Sequence, residues 1–221
     1  MKRSGVFRKH MSVLAVAAVC VLVGWVLSMA GQSLAVEETE FNLHPNPKFL
    51  PCITNPNDDE PPEAEVEVER GKLNDKLTLE LEHFKPGLAF DLFTVQRSNL
   101  LSNGTVNPAF TNFGLAWYQS DVQVNETGRA KVAIRTILLD QIFGFDPDAS
   151  LPPTNTFHVG FWFNNPADAA ACGFDVTKPT PFNGEHHAGP LAMISVPDAV
   201  TNLGPLCTNP NTSTTPATCN P

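Results

Sequence analysis

Helical periodicity is missing from this chain, and so are the signatures of most enzyme families. The 221 residues hold no Gly-x-Ser-x-Gly elbow, no His-Glu-x-x-His, no phosphate-binding glycine loop and no dinucleotide fingerprint. No motif therefore points to hydrolase, zincin, nucleotide or dehydrogenase chemistry, although sites assembled in three dimensions need no motif. No Cys-x-x-Cys pair is present, which argues against a zinc knuckle or a thioredoxin-like redox site. Asp121, Asp140, Asp146 and Asp148 lack the ligand spacing of an EF-hand or a glycine-rich calcium repeat, and we read them as solvated acidic loops. Asp58-Asp59-Glu60 lies in a proline-rich stretch, where no pocket would raise a carboxyl for acid catalysis.

Charge is scarce as well. Only 17% of the residues are charged and 42% are hydrophobic, too apolar a balance for a disordered chain. Basic side chains are the scarcer sign. Four of the 14 precede residue 36, so the remaining 186 residues carry 10 bases against all 23 acids, a net charge of −13. Such a surface repels phosphate backbones and anionic membranes, which excludes nucleic acid as a partner and disfavours the membrane surface. A body of this length is one domain with a sufficient core.

The four early bases form a head, and Ser12 to Ala30 follows as an almost wholly apolar run. Ser33 and Ala35 then stand as the small residues of a secretory cleavage site, so residues 1–35 are expected to be a signal peptide and Val36 the mature N-terminus. The alternative is an uncleaved membrane anchor, because the run approaches the ~20 residues that span a bilayer. Both place the acidic body outside, secreted or at the cell surface. Cys20 leaves with the signal. Cys52, Cys172, Cys207 and Cys219 remain, an even number in an oxidising compartment, and imply two disulfides with three connectivities. Cys207 and Cys219 are close in a tail without a core of its own, so the favoured pairing is Cys207–Cys219 with Cys52–Cys172. Sequons at Asn103, Asn125 and Asn211 matter only in a glycosylating host.

Residues 36–63 read as an acidic, proline-rich arm, 64–202 as the folded domain and 203–221 as a polar tail. Within the domain the period is two. Residues 64–70, 77–82, 88–95, 115–119, 131–138, 157–163 and 191–196 read as strands, separated by Gly, Pro and Asn turns. Helix is confined to short turns at 140–145 and 166–171, the second starting well with Asn165 as cap and Pro166 behind it. The fold expected is an all-β antiparallel sandwich of about seven to eight strands, with an extended N-terminal arm and a C-terminal tail.

Phe84-Lys-Pro-Gly-Leu-Ala-Phe90-Asp-Leu-Phe-Thr-Val95 resembles the turn into a late strand of fibronectin type III and other immunoglobulin-like sandwiches. Phe90 stands where those families place a tyrosine, so the tyrosine corner itself is absent. The resemblance covers about twelve residues, implies a sandwich and carries no activity.

Chemistry concentrates in one set, His158, Glu185, His186 and His187. Phe157, Val159, Phe161 and Phe163 share the expected core face of their strand, which puts His158, Gly160 and Trp162 on the other. If the last strand pairs with this one, the Glu-His-His loop falls near His158. Imidazoles with a carboxylate suit zinc or copper; otherwise the set is a surface loop with hydrogen-bonding imidazoles. His44 and His83 stand alone and read as solvated. Trp162 is either a platform for a sugar or peptide or packs against the second sheet or under residues 164–190.

Phe157-His158-Val159-Gly160, followed by Cys172, Phe182-Asn183 and His187-Ala-Gly-Pro190, also resembles copper/zinc superoxide dismutase and the chordin-type sandwich domains. His158 and His187 match that pattern. Gly160 replaces its second strand histidine, and Pro181 stands where a bridging histidine belongs. With two ligands missing, dismutase activity does not carry over.

The function expected is that of an exported, non-catalytic binding or structural module, with an extracellular protein or a carbohydrate as partner. The competing class is an extracellular metal-binding protein or metal-dependent enzyme built on His158, Glu185, His186 and His187.

Overall fold

Strict alternation builds the first sheet. The structure, a computed structural model, describes residues 38–71, 74–136, 156–178 and 188–207. Strands β1 (Glu38–Asn42), β3 (Glu63–Glu69), β4 (Asp75–Glu82) and β7 (Ala130–Thr136) form an antiparallel sheet in the order β1-β3-β4-β7. Ala64, Val66 and Val68 face Leu81, Leu79 and Leu77, which in turn face Ala130, Val132 and Ile134. These rows point inward together because successive side chains take opposite faces of the pleat. The glutamates between them remain on the outside.

The strands of the second sheet are β2 (His44–Pro45), β5 (Ala89–Val95), β6 (Ala116–Gln123), β8 (Thr156–Phe163), β9 (Leu191–Ile194) and β10 (Leu206–Cys207). They run in the order β2-β9-β8-β5-β6, with β10 pairing the start of β8. Phe157, Val159, Phe161 and Phe163 of β8 face the first sheet. Phe161 packs against Phe90 and Phe84, with ring centroids at 4.8 and 6.0 Å. The protein is therefore an all-β sandwich, as its period of two predicts. Phe84 and Phe90, the pair of the immunoglobulin-like turn, meet edge to face in the core at 5.8 Å.

The arm is more structured than its prolines imply. β1 extends the first sheet, and two residues later β2 joins the second. The short helix α1 (Leu50–Ile53) follows, with proline in its first turn. Cys52 in α1 is bonded to Cys172 at the end of a 3-10 helix (Pro166–Cys172), a span of 120 residues. This is the expected Cys52–Cys172 pairing. Asn165 caps the 3-10 helix, accepting from the Ala167 amide at 3.0 Å. The side chain of Cys207 and all of Cys219 lie outside the described residues, as does the turn expected at 140–145.

One face departs from expectation. The sequence reading puts His158, Gly160 and Trp162 on the side of β8 away from the core, with a surface cluster at His158, but every residue of β8 is buried. Residues 96–115, the long connection between β5 and β6, fold back over that side. They carry Leu100 and Phe113 onto a second apolar cluster with Phe93, Val95, Trp162 and Ile194. Trp162 is 1% exposed and meets Phe113 and Phe93 edge to face at 5.0 and 5.4 Å. Among the described residues it packs under residues 96–115, and at this burial it offers no platform to a ligand.

Candidate functional site

The connection over the second sheet is ordered by its own hydrogen bonds. Gln96 and Arg97 continue the β5–β6 pairing for one more rung, their amides donating to Leu115 and Phe113 at 2.9 Å each. Gln96 Oε1 accepts from the Leu115 amide, and Ser98 Oγ from the Leu100 amide. Beyond them the Leu101 amide donates to the Thr105 carbonyl, and the Asn107 amide to the Asn99 carbonyl. Phe110 leans on Phe113 at 4.6 Å and so ties the far limb to the cluster around Trp162.

A turn at residues 197–203 rises on the other side. The Asp198 carboxylate accepts from the amides of Val200 and Thr201 and from the Thr201 hydroxyl. These bonds hold it below the usual carboxylate range. Asn202 takes a left-handed φ of 58°, which an asparagine tolerates better than most residues. Gly204 then runs so close to β8 that a Cβ there would lie 2.2 Å from the Phe157 carbonyl oxygen. Thr156 Oγ1 accepts from the Gly204 amide and donates to its carbonyl.

Between the two limbs and the start of β8 lies a cavity of about 430 Å³, within the usual size range of small-molecule sites. Gln96, Thr156 and His158 are its buried polar residues on the sheet side. Phe110 and Leu203 supply apolar wall, and Arg97 stands exposed in the lining. No carboxylate is among the described residues that line it.

His158 is 3% exposed, and its ring is committed on one side. Nδ1 lies 3.0 Å from Ser195 Oγ and 3.1 Å from the Ser195 carbonyl, while Ser195 Oγ accepts from the Val159 amide. Burial pushes the imidazole down to about 4, and the Ser195 carbonyl opposes that only in part. The ring is therefore neutral at ordinary pH. Nε2 alone remains with which His158 could meet a metal or a ligand.

Glu185, His186 and His187 lie outside the described residues. Among the described residues no group of three metal-ligating side chains converges. Gly160, which takes the place of a second strand histidine, has a physical reason to be glycine. A Cβ there would stand 2.9 Å from the Met193 carbonyl oxygen and 3.0 Å from Ile194. Of the four aspartates weighed for calcium, Asp121 accepts from the Tyr118 hydroxyl at 2.7 Å, and Asp140, Asp146 and Asp148 lie outside the described residues.

His83 corrects a second expectation. It is not a lone solvated histidine: its side chain is 16% exposed and sits among three carboxylates. Nδ1 is 2.9 Å from Asp58, and Nε2 is 2.9 Å from Glu60 and 3.8 Å from Glu82. The Asp58 hydrogen bond raises the imidazole above its ordinary value, and the same bond lowers Asp58. Asp58 and Glu60 come from the arm and His83 from the end of β4, so no spacing in the sequence announces them.

Comparison of the chain with protein-family models, curated proteins and solved structures gives no match.

Proposed function

We propose that the protein is an exported, non-catalytic binding module, and that a small polar ligand occupies the cavity between residues 96–110 and 197–203. The observation that carries this is the cavity itself: a concave site on a pre-ordered frame with buried, neutral hydrogen-bonding side chains. Gln96, Ser98, Asn107, Thr156 and Asn202 together with Phe110 match the chemistry of a sugar, whose hydroxyls want neutral partners and whose C–H face wants an aromatic ring. A carbohydrate is therefore the ligand class.

Non-catalytic binding is supported by the same geometry. His158 with a value of about 4 is a poor general base near neutral pH. Ser195, though 3.0 Å from it, is 1% exposed and not part of the cavity wall. No described carboxylate orients the imidazole from the cavity side, as a triad requires. Export rests on the basic head, the apolar run and the Ser33–Ala35 site of the sequence. Among the described residues no helix is long and apolar enough to cross a membrane.

Isotope-labelled protein spanning residues 36–221, titrated with glucose, galactose and mannose at millimolar concentration, tests this. Amide shifts gathered at Gln96, Thr156, His158 and Asn202, and lost in Asn107→Trp, are the expected result. Shifts centred elsewhere, or unaffected by Asn107→Trp, would place the site outside the cavity.

A further inference from the structure

Among the described residues that line the cavity, Arg97 is the one basic residue and none is an acid. We propose that the ligand is an acidic sugar, a hexuronate, with its carboxylate on the Arg97 guanidinium and its hydroxyls over Thr156 and His158. This rests on the cavity being the binding site.

The charge pattern carries it. This is a protein with a large excess of acids over bases, and five of its nine described cations are ion-paired while Lys48, Lys85, Arg97 and Arg135 are not, Arg97 alone of these four lining the cavity. Arg70 pairs with Asp75, Lys76 with Glu69, Arg129 with Glu82, Lys131 with Glu80 and Lys178 with Asp175. Arg97 has no ion-pair partner among the described residues. An acidic body repels an anionic ligand at long range, so recognition of one demands a local cation in a local absence of carboxylates. The described wall supplies the cation and no carboxylate; Asp198, in the turn beside it, is engaged by the Val200 and Thr201 amides.

The backbone that carries the charge is held at the cavity. The Arg97 amide donates to the Phe113 carbonyl at 2.9 Å, so the root of the side chain is held in the β5–β6 ladder. Guanidinium and carboxylate are both planar and meet in a two-pronged fork, which an ammonium cannot imitate. The buried His158 adds no charge, because it stays neutral at ordinary pH. It offers a hydrogen bond to a hydroxyl rather than a second contact to the carboxylate. A ligand matching this wall carries one anionic end and a neutral polyhydroxylated remainder.

Four probes divide these contributions: sodium glucuronate, glucose, sodium acetate and digalacturonate, each titrated by NMR into the 36–221 protein and into Arg97→Gln and Arg97→Lys. Glucuronate should bind about tenfold more tightly than glucose at low salt, and acetate should not bind measurably. Arg97→Gln should erase the preference for glucuronate over glucose, while Arg97→Lys should keep it only in part. Digalacturonate binding more tightly than glucuronate would identify a uronate polymer as the source; the reverse order would identify the free acid. Equal binding of glucose and glucuronate, or a preference that survives Arg97→Gln, would overturn the acidic ligand and leave the cavity as the site. Failure of both uronates to bind while glucose shifts the cavity amides would do the same. Shifts confined to residues away from the cavity would overturn both. An unchanged melting temperature of Arg97→Gln shows that the loss is not one of folding.

Discussion

The outer faces of the two sheets obey the same pleat and end in opposite surroundings. On the first sheet, Glu63, Glu65, Glu67 and Glu69 of β3 point outward beside Glu38 and Glu40 of β1 and Glu80 and Glu82 of β4. The register sets Glu40 opposite Glu67, Glu65 opposite Glu80 and Glu63 opposite Glu82. Like charges directly opposite repel. Lys76, Arg129 and Lys131 relieve part of this by pairing with Glu69, Glu82 and Glu80. Desolvation and then the neighbouring Glu38 still push the Glu67 carboxyl up. Such a face stays wet, because burying unpaired carboxylates costs far more than apolar contact returns. On the second sheet the same alternate positions hold His158, Gly160 and Trp162, and residues 96–115 close over them. Alternation says which residues share a face. The chemistry of those residues says whether water keeps it.

Large apolar truncations should break the contrast most visibly. Phe161→Ala removes a fully buried ring from the main core and should cost about 3–5 kcal/mol. Trp162→Ala, on the supposedly outer side, should cost a similar ~3–5 kcal/mol, because it leaves a cavity beneath Phe113 and Phe93. Denaturant unfolding measures both. A nearly neutral Trp162→Ala would return that face to solvent.

The Cys52–Cys172 bond should come next. It closes a span of 120 residues, and its removal in a Cys52→Ala, Cys172→Ala double variant should cost about 4 kcal/mol. Peptide mapping without reduction should recover Cys52 joined to Cys172.

Acid should act through His158. Its folded value is depressed to about 4, below the ordinary 6.5 of the unfolded chain. Its contribution is therefore complete above pH 6.5 and drains away as pH falls towards 4, by roughly 3 kcal/mol. The difference in stability between the wild type and His158→Gln, followed from pH 7.5 to 4, isolates this part. A difference independent of pH would mean that the ring is not buried neutral. His83 has the opposite sign. Its raised value stabilises below pH 6.5, and that support is lost as pH rises through the folded value. Asp58, lowered by the same bond, withdraws its share only at the acid end.

The smallest effect belongs to the acidic face. Glu67→Gln removes one of several like charges and should change stability by less than ~0.5 kcal/mol, towards stabilisation at pH 7. A clear loss would show that the glutamate ladder is held by something other than its lysines and arginine.

The residues that made the sandwich legible are those of short range. Val66, Val68, Leu77 and Leu79 alternate with Glu and Thr, and their faces follow from the pleat alone. Gly87 with φ of 83° and Gly128 with φ of 77° mark turns that the Pro-Gly and Asn-x-x-Gly signals announce. The cover over Trp162 was not legible, because residues 96–115 mix Ser, Asn, Gly and Pro with only Leu100, Phe110 and Phe113 as spaced anchors. A loop composition and a lid composition are the same when three aromatic or aliphatic side chains decide between them. One signal was available: a strand whose outward residues include tryptophan and glycine rather than glutamate asks for a cover. The cavity and the His83 cluster were hidden for a different reason. Each joins segments distant in sequence, residues 96–110 with 156–158 and 197–203 in one case, 58–60 with 82–83 in the other.

The state of the two histidines tests the central claim most directly, that one face of the second sheet is dry and holds a neutral imidazole at the edge of a cavity. An NMR titration of the metal-free 36–221 protein follows the ring protons of both in one experiment. His158 should keep neutral shifts down to a pH of about 4, while His83 should titrate above 6.5. A His158 that titrates near 6.5 would contradict the account, because only an open, solvated face would let it do so.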